Sequence, residues 1–287
     1  MSASLQSAAN RRLTPRNTPA VRAKRAKGGR VRGLVNYWPA AALSILLLVG
    51  VQVAVDRSWV SDLILPRPTD VWESLKIGFS SGLYLEQGRS TLTAMLGGFI
   101  CATIAALTLA GLMTSSQFID RLVMPYIVGL QSMPKIALAP LLIIWLGFGM
   151  SAKIAIVGLL AFFPIIVNAL EGMKVRDRVH YELFVSFGAS RWDVFWHLRL
   201  PSAMPSIFAG LRVGMVLSLL ATVVAELVGA QSGLGYIMLL EKANLNIPGV
   251  FAILAIMLVM GLALNACMTL LERRLTFWAQ DVSKIDF

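Results

Sequence analysis

KIAIVGLLAFFPIIVNAL, residues 153–170, holds one cation at its first position, one asparagine near its end and otherwise apolar or small side chains. Its length approaches the roughly 20 residues that an α-helix needs to cross about 30 Å of hydrocarbon. Five more runs of this kind flank it, at 39–55, 90–113, 121–147, 206–230 and 250–271. Together they take up nearly half of the 287 residues. Lipid offers no hydrogen-bond partner to an open backbone, so each run reads as a helix. Composition agrees: 57% of residues are hydrophobic and 14% charged, with a mean hydropathy of +0.72. Ordinary soluble domains carry roughly 25% charged residues. Soluble, disordered, collagenous, coiled-coil and disulfide-scaffold classes are thereby excluded. The fold expected is an all-α integral membrane protein with six transmembrane helices.

Charge orients it. Lys plus Arg number 26 against 15 for Asp plus Glu, a net +11. Nine of the cations (Arg11, Arg12, Arg16, Arg22, Lys24, Arg25, Lys27, Arg30 and Arg32) precede residue 37, with no acid among them. Residues 1–36 read as a basic, disordered cytoplasmic tail drawn to anionic lipid, and 37–287 as the membrane domain. The tail lacks the interleaved aromatics of single-strand binders, so nucleic acid is not an expected partner. It is too long for a signal peptide and no A-x-A site follows, which makes the first run a retained anchor. With the N-terminus inside, the inner segments hold 18 cations and the outer ones five, Arg57, Arg67, Lys76, Lys153 and Lys242. That asymmetry places both termini in the cytoplasm. The third run contains Pro125, Pro134 and Pro140 and should be kinked or split. Cys101 and Cys267 read as small buried hydrophobes.

Enzyme chemistry finds no foothold in the motifs. Gly78-Phe79-Ser80-Ser81-Gly82 fits G-x-S-x-G, but that pattern needs a preceding strand and a nearby histidine. Both histidines, His180 and His197, fall on the opposite side of the membrane in this topology. No phosphate-cradling G-x-x-x-x-G-K-[ST], no H-E-x-x-H and no Cys/His cluster with metal-ligand spacing occurs. No catalytic residue, metal or cofactor is expected in this chain.

The longest inner loop, 171–205, reads EGMKVRDRVHYELFVSFGASRWDVFWHLRLPSAMP. A helix ending near Phe187 meets Gly188, a residue suited to closing it. A second helix starts with Ser190 as N-cap and Asp193 three residues on, and Pro201 and Pro205 should end it. Six aromatics lie between Tyr181 and Trp196. They fit either packing against the protein's own helix ends or a docking surface for a partner. Among the polar groups in the spans, Gln131, Ser132, Lys135, Asn168, Thr222 and Glu226 are candidates to line a translocation pathway. Interhelical hydrogen bonding is the competing explanation. Gly210 and Gly214 form a G-x-x-x-G for close helix packing or dimer contact. Outside, an amphipathic helix is expected over about Thr69 to Phe79, lying at the interface or meeting an external protein, with 231–249 a second candidate contact.

The loop resembles the EAA signature of ABC-transporter permeases of the binding-protein-dependent import type. Glu182 and Gly188 stand six apart, Leu198 takes the isoleucine place and Leu200-Pro201 completes the register, while Leu183 and Phe184 replace the paired alanines. LPRPTDVW (65–72), ALAPLLIIWLGFG (137–149), AFFPIIVNALEGMK (161–174) and AELVGAQSGLGYIM (225–238) resemble the nitrate/sulfonate/taurine-type branch. The resemblance implies a type I importer permease in the bacterial inner membrane. It also implies a homodimer with a dimer of ATPase subunits that bind the ATP, and a soluble solute-binding protein. Glu182, Phe187, Gly188, Ala189, Ser190, Arg191 and Pro201 would couple to the ATPase. The solute implied is a sulfonate, taurine or nitrate-like ion. A pyrimidine vitamin precursor is the alternative, and a self-sufficient secondary carrier, which often shows internal repeats, is the rival architecture.

Overall fold

The computed structural model describes residues 38–62, 64–174 and 178–278. The basic tail and the last nine residues lie outside this range. The chain divides into two compact units, Met1–Val49 and Gly50–Phe287. The described part of the first is the start of α1 (Trp38–Asp56). The second carries α2 (Pro68–Ser80), α3 (Leu83–Ser115), α4 (Gln117–Gln131), a 3-10 turn (Lys135–Leu138), α5 (Ala139–Leu146) and α6 (Met150–Met173). It continues through α7 (Arg178–Ser186), α8 (Arg191–Val194), a π turn (Phe195–Arg199), α9 (Leu200–Gly229), α10 (Leu234–Ala243) and α11 (Ile247–Leu275).

Four helices among the described residues are long and apolar enough to cross a membrane: α3, α6, α11 and the continuous helix Trp192–Gly229. The pair α4 and α5 makes a fifth if counted as one span, bent by 90°. Within α1 the apolar stretch is the shorter Ala42–Asp56. Of the three prolines expected to disturb the third run, Pro134 marks the break. Pro125 rides inside α4, and Pro140 sits in the first turn of α5, where its missing N–H costs nothing.

At the centre, α6 packs between α3 and α9, and small residues allow the approach. Ala94, Gly98, Ala102, Ala106 and Ala110 recur every fourth position along the buried face of α3. A Cβ on Gly98 would lie 2.5 Å from that of Val157. Gly210 of α9 faces Asn168 and the Pro164 carbonyl, and Gly214 faces Ile165. The G-x-x-x-G motif is thus filled by α6 of the same chain. Dispersion across closely packed backbones, rather than hydrophobic burial, favours such contacts between helices in lipid.

Two expectations are corrected. Cys101 and Cys267 are exposed. They lie on outward faces, where lipid accepts a small apolar side chain as readily as a protein core does. Pro201 and Pro205 do not end a helix either; the chain runs helical from Trp192 to Gly229. The physical reason lies just upstream. The π turn widens the hydrogen-bond register, so that Leu200 N–H donates to Phe195 O, and Pro201 enters as part of the first turn of α9.

Candidate functional site

The loop between α6 and α9 folds as the sequence suggests, into a hairpin of two short helices. Gly188 has φ +77°, its N–H donates to Val185 O at 2.9 Å, and Ala189 N–H donates to Phe184 O at 3.1 Å. This is a Schellman closure, which uses two carbonyls that the end of α7 would otherwise leave open. One residue on, Ser190 Oγ accepts from Asp193 N–H at 3.2 Å and Asp193 Oδ2 accepts from Ser190 N–H at 3.0 Å. That capping box starts α8. Stop and start signals two residues apart fix the bend between the helices.

The hairpin presents apolar surface outward. Phe187 is 83% exposed and Trp192 68%, with Leu183, Val185 and Trp196 also exposed. Trp192 stacks on Phe195 at 6.1 Å and meets Trp196 edge-on at 5.6 Å, which stiffens the aromatic group. Phe195 in turn reaches the backbone of α3 at Gly111. Arg199 Nη1 donates to Thr114 O at 2.6 Å and holds the second helix to the end of α3. A cavity of about 810 Å³ lies between the hairpin and the ends of α3, α4 and α6, with Thr114, Gln117, Lys174, Ala189, Phe195 and Arg199 in its lining.

Of the residues expected to couple, Glu182, Phe187, Gly188 and Ser190 are exposed, and Ala189 and Pro201 are partly buried. Arg191 opens α8. They share one hairpin and its continuation into α9.

The polar positions in the spans do not converge on one place. Gln131 and Ser132 are exposed where α4 stops, and Lys135 reaches back, its Nζ donating to Gln131 O at 2.9 Å and lying 4.7 Å from the Phe163 ring. Asn168 Nδ2 donates to Pro164 O within its own helix. Thr222 and Glu226 are 0% and 1% exposed, enclosed by the bundle rather than turned to an open surface.

Glu226 has a partner that charge counting assigned to an outer loop. Lys153, 3% exposed at the start of α6, places Nζ 3.3 Å from Glu226 Oε1. The same Nζ donates to Ser232 O at 2.7 Å, Ser232 Oγ at 3.2 Å and Ser90 Oγ at 3.3 Å. Glu226 also accepts from Thr91 Oγ1 at 2.9 Å and from Gly235 N–H at 2.9 Å. Thr91 Oγ1 accepts from Leu234 N–H at 2.8 Å, and Gln87 Oε1 from Gly233 N–H at 2.6 Å. Sequence reasoning missed Lys153, Thr91, Ser90, Ser232 and Gln87. The available signal was that opposite charges, Lys153 and Glu226, stand at the same end of two adjacent spans. Among the described residues no group of three or more His, Cys, Asp or Glu could hold a metal ion. The G-x-S-x-G stretch closes α2, with Ser80 and Ser81 hydroxyls donating to Ile77 O and Gly78 O.

Residues 98–277 match the family described as binding-protein-dependent transport system inner membrane component. The riboflavin transport system permease protein of Chloroflexus aurantiacus is 34% identical over 87% of this chain and 94% of its own length. The formylaminopyrimidine transport permease protein of Halalkalibacterium halodurans is 34% identical over 82% of this chain and 94% of its own. The taurine transport system permease protein of Escherichia coli is 31% identical over 84% and 89% respectively. All three are transport permeases. A multi-pass helical bundle, a family match across its centre and relatives aligned along most of their lengths agree: the chain belongs to the inner-membrane permeases of binding-protein-dependent ABC importers.

Proposed function

We propose that the chain is the solute-conducting subunit of an ATP-driven importer and that the hairpin at 178–199 is where a separate ATPase pushes on it. The observation that carries this reading is the exposed aromatic group, Phe187 and Trp192, on a doubly capped hairpin continuous with a spanning helix. Exposed aromatics beside charge suit a protein partner. Glu182, Phe187, Gly188, Ala189, Ser190, Arg191 and Pro201 form the contact and its junction with α9. ATP-driven closure of two ATPase subunits moves two such hairpins, and the attached helices follow as rigid bodies. The permease transmits work and makes or breaks no covalent bond.

In this reading the spans number six: α1, α3, the α4–α5 pair, α6, α9 and α11. Both termini are cytoplasmic, residues 1–36 form a basic tail against anionic lipid, and 37–287 form the permease domain. Two copies enclose the pathway, to which the exposed or partly buried Gln131, Ser132, Lys135 and Asn168 contribute. A soluble solute receptor docks on the outer segments around α2 and α10. The solute is a small sulfonate or taurine-like compound, as the taurine permease suggests. A second reading, a flavin or pyrimidine vitamin precursor, is favoured by the two relatives at 34% identity. Ligand binding to the partner receptor separates the two.

The coupling assignment is tested by Gly188→Pro and Glu182→Lys in the complex reconstituted into proteoliposomes. Both variants should insert normally, while ATP hydrolysis no longer tracks uptake. Unchanged receptor-stimulated hydrolysis and uptake in both would overturn it.

A further inference from the structure

The group around Lys153 and Glu226 joins four elements at one end of the bundle. Ser90 and Thr91 come from α3, Lys153 from α6, Glu226 from α9, and Ser232, Leu234 and Gly235 from the turn into α10. The two charged side chains are sealed, at 3% and 1% exposure, and the Lys153 ammonium spends its hydrogens on oxygens from three of the four elements. No room remains for a solute. Gly233, at φ +110°, lies so close that a Cβ there would overlap the Glu226 carboxylate, and a Cβ on Gly235 would stand 2.8 Å from Glu226 Cβ. The turn is seated on the carboxylate itself.

A buried ion pair is a poor source of net stability, because desolvation consumes most of the attraction. What it supplies is geometric selectivity: any separation of the elements strands an unpaired charge away from water. The pair is therefore suited to holding four elements in one arrangement.

We propose that Lys153, Glu226 and Thr91 are positioning residues, a latch that makes the outer ends of α3, α6 and α9 and the start of α10 move as one body during transport. The proposal deepens the importer reading and rests on it. Glu226 acts through the turn it seats and does not touch the solute. Motion of α9 at the hairpin then reaches the segment 231–246 without slack, and a receptor pressing on that segment is felt at the hairpin.

Ser90 Oγ and Ser232 Oγ are 3.0 Å apart, close enough for a cysteine pair to bridge α3 and the turn. The experiment uses the reconstituted complex in a background of Cys101→Ala and Cys267→Ala. Lys153→Met with Glu226→Gln removes both charges together and leaves neither one stranded. Receptor-stimulated ATP hydrolysis and uptake should fall about tenfold in this variant. Adding Ser90→Cys and Ser232→Cys and oxidising the pair should bring both back to near the background level, and reduction should abolish the rescue. A solute ligand could not be replaced by a disulfide. In the otherwise intact chain, where the two cysteines remove two of the Lys153 contacts, transport with the pair oxidised should be no lower than with it reduced, an arm that does not depend on the neutralised variant assembling.

Full activity of the neutralised variant would overturn the latch. So would failure of the formed disulfide to rescue it, or a block of transport by the disulfide in the intact chain. Loss of receptor stimulation in the unmodified complex would instead refute the importer reading.

Discussion

Replacing Gly210 by alanine tests the closeness of α6 and α9 most directly. The added Cβ would stand 2.7 Å from Asn168 Cβ and 3.0 Å from the Pro164 carbonyl oxygen. Carbon atoms in contact normally sit about 3.5–4.0 Å apart, so the first distance is short by roughly 1 Å. The second neighbour is backbone and cannot rotate away. Overpacking of this kind costs about 1–3 kcal/mol, and the rigid neighbour puts Gly210→Ala near the top of that range. Alanine returns about 1 kcal/mol through helix propensity, leaving a net loss of roughly 2 kcal/mol. For a domain of this size that corresponds to a midpoint lower by about 4–8 °C. Gly129→Ala, within α4 and with nothing inside 4 Å of the new carbon, is the control. It gains the propensity alone and should raise the midpoint by about 2–4 °C. The assay is thermal unfolding of the detergent-purified chain followed by tryptophan fluorescence. If Gly210→Ala proves as stable as Gly129→Ala, the packing argument is wrong.

Two further outcomes concern the hairpin. Phe187→Ala removes an exposed side chain, so the thermal midpoint of the isolated permease should hardly move, while co-purification with the ATPase should drop. Trp192→Ala should weaken co-purification too, and lower the midpoint modestly because its ring packs on Phe195 and Trp196. A matching loss of stability in Phe187→Ala would mean that this ring packs within the chain. At Gly188, where a Cβ meets nothing within 4 Å, alanine pays only for its left-handed backbone, about 1–2 kcal/mol, and asparagine less. Uptake should therefore fall in the order Gly, Asn, Ala, and any other order would count against the closure at Gly188.

Local signals in the sequence proved readable where the physics is local. The helix expected from Thr69 to Phe79 spans Pro68–Ser80, and the split in the third span falls at Pro134. Gly188 and the Ser190–Asp193 box act where their residue types suggested, because capping depends on neighbours within four positions. Reading failed where distant partners decide. Pro201 looked like a stop, yet a π turn beginning six residues earlier absorbs it. Lys153 counts as an outer cation by its place at the edge of an apolar run, and its burial is invisible there because its partners, at 90, 226 and 232, belong to other elements. Cys101 and Cys267 looked buried because hydropathy cannot tell a face turned to lipid from one turned to protein.

The unbroken helix from Trp192 to Gly229 has a mechanical meaning. At about 1.5 Å per residue it is a rod close to 57 Å long, one end bearing the indole ring and the other the turn into α10. A full break between the hairpin and the spanning helix would let torque dissipate as local bending. In the coupling proposed above, a tilt of a few degrees imposed at the indole would carry the far tip through several ångströms, while the π turn and the two prolines near the root are where such a rod would bend first.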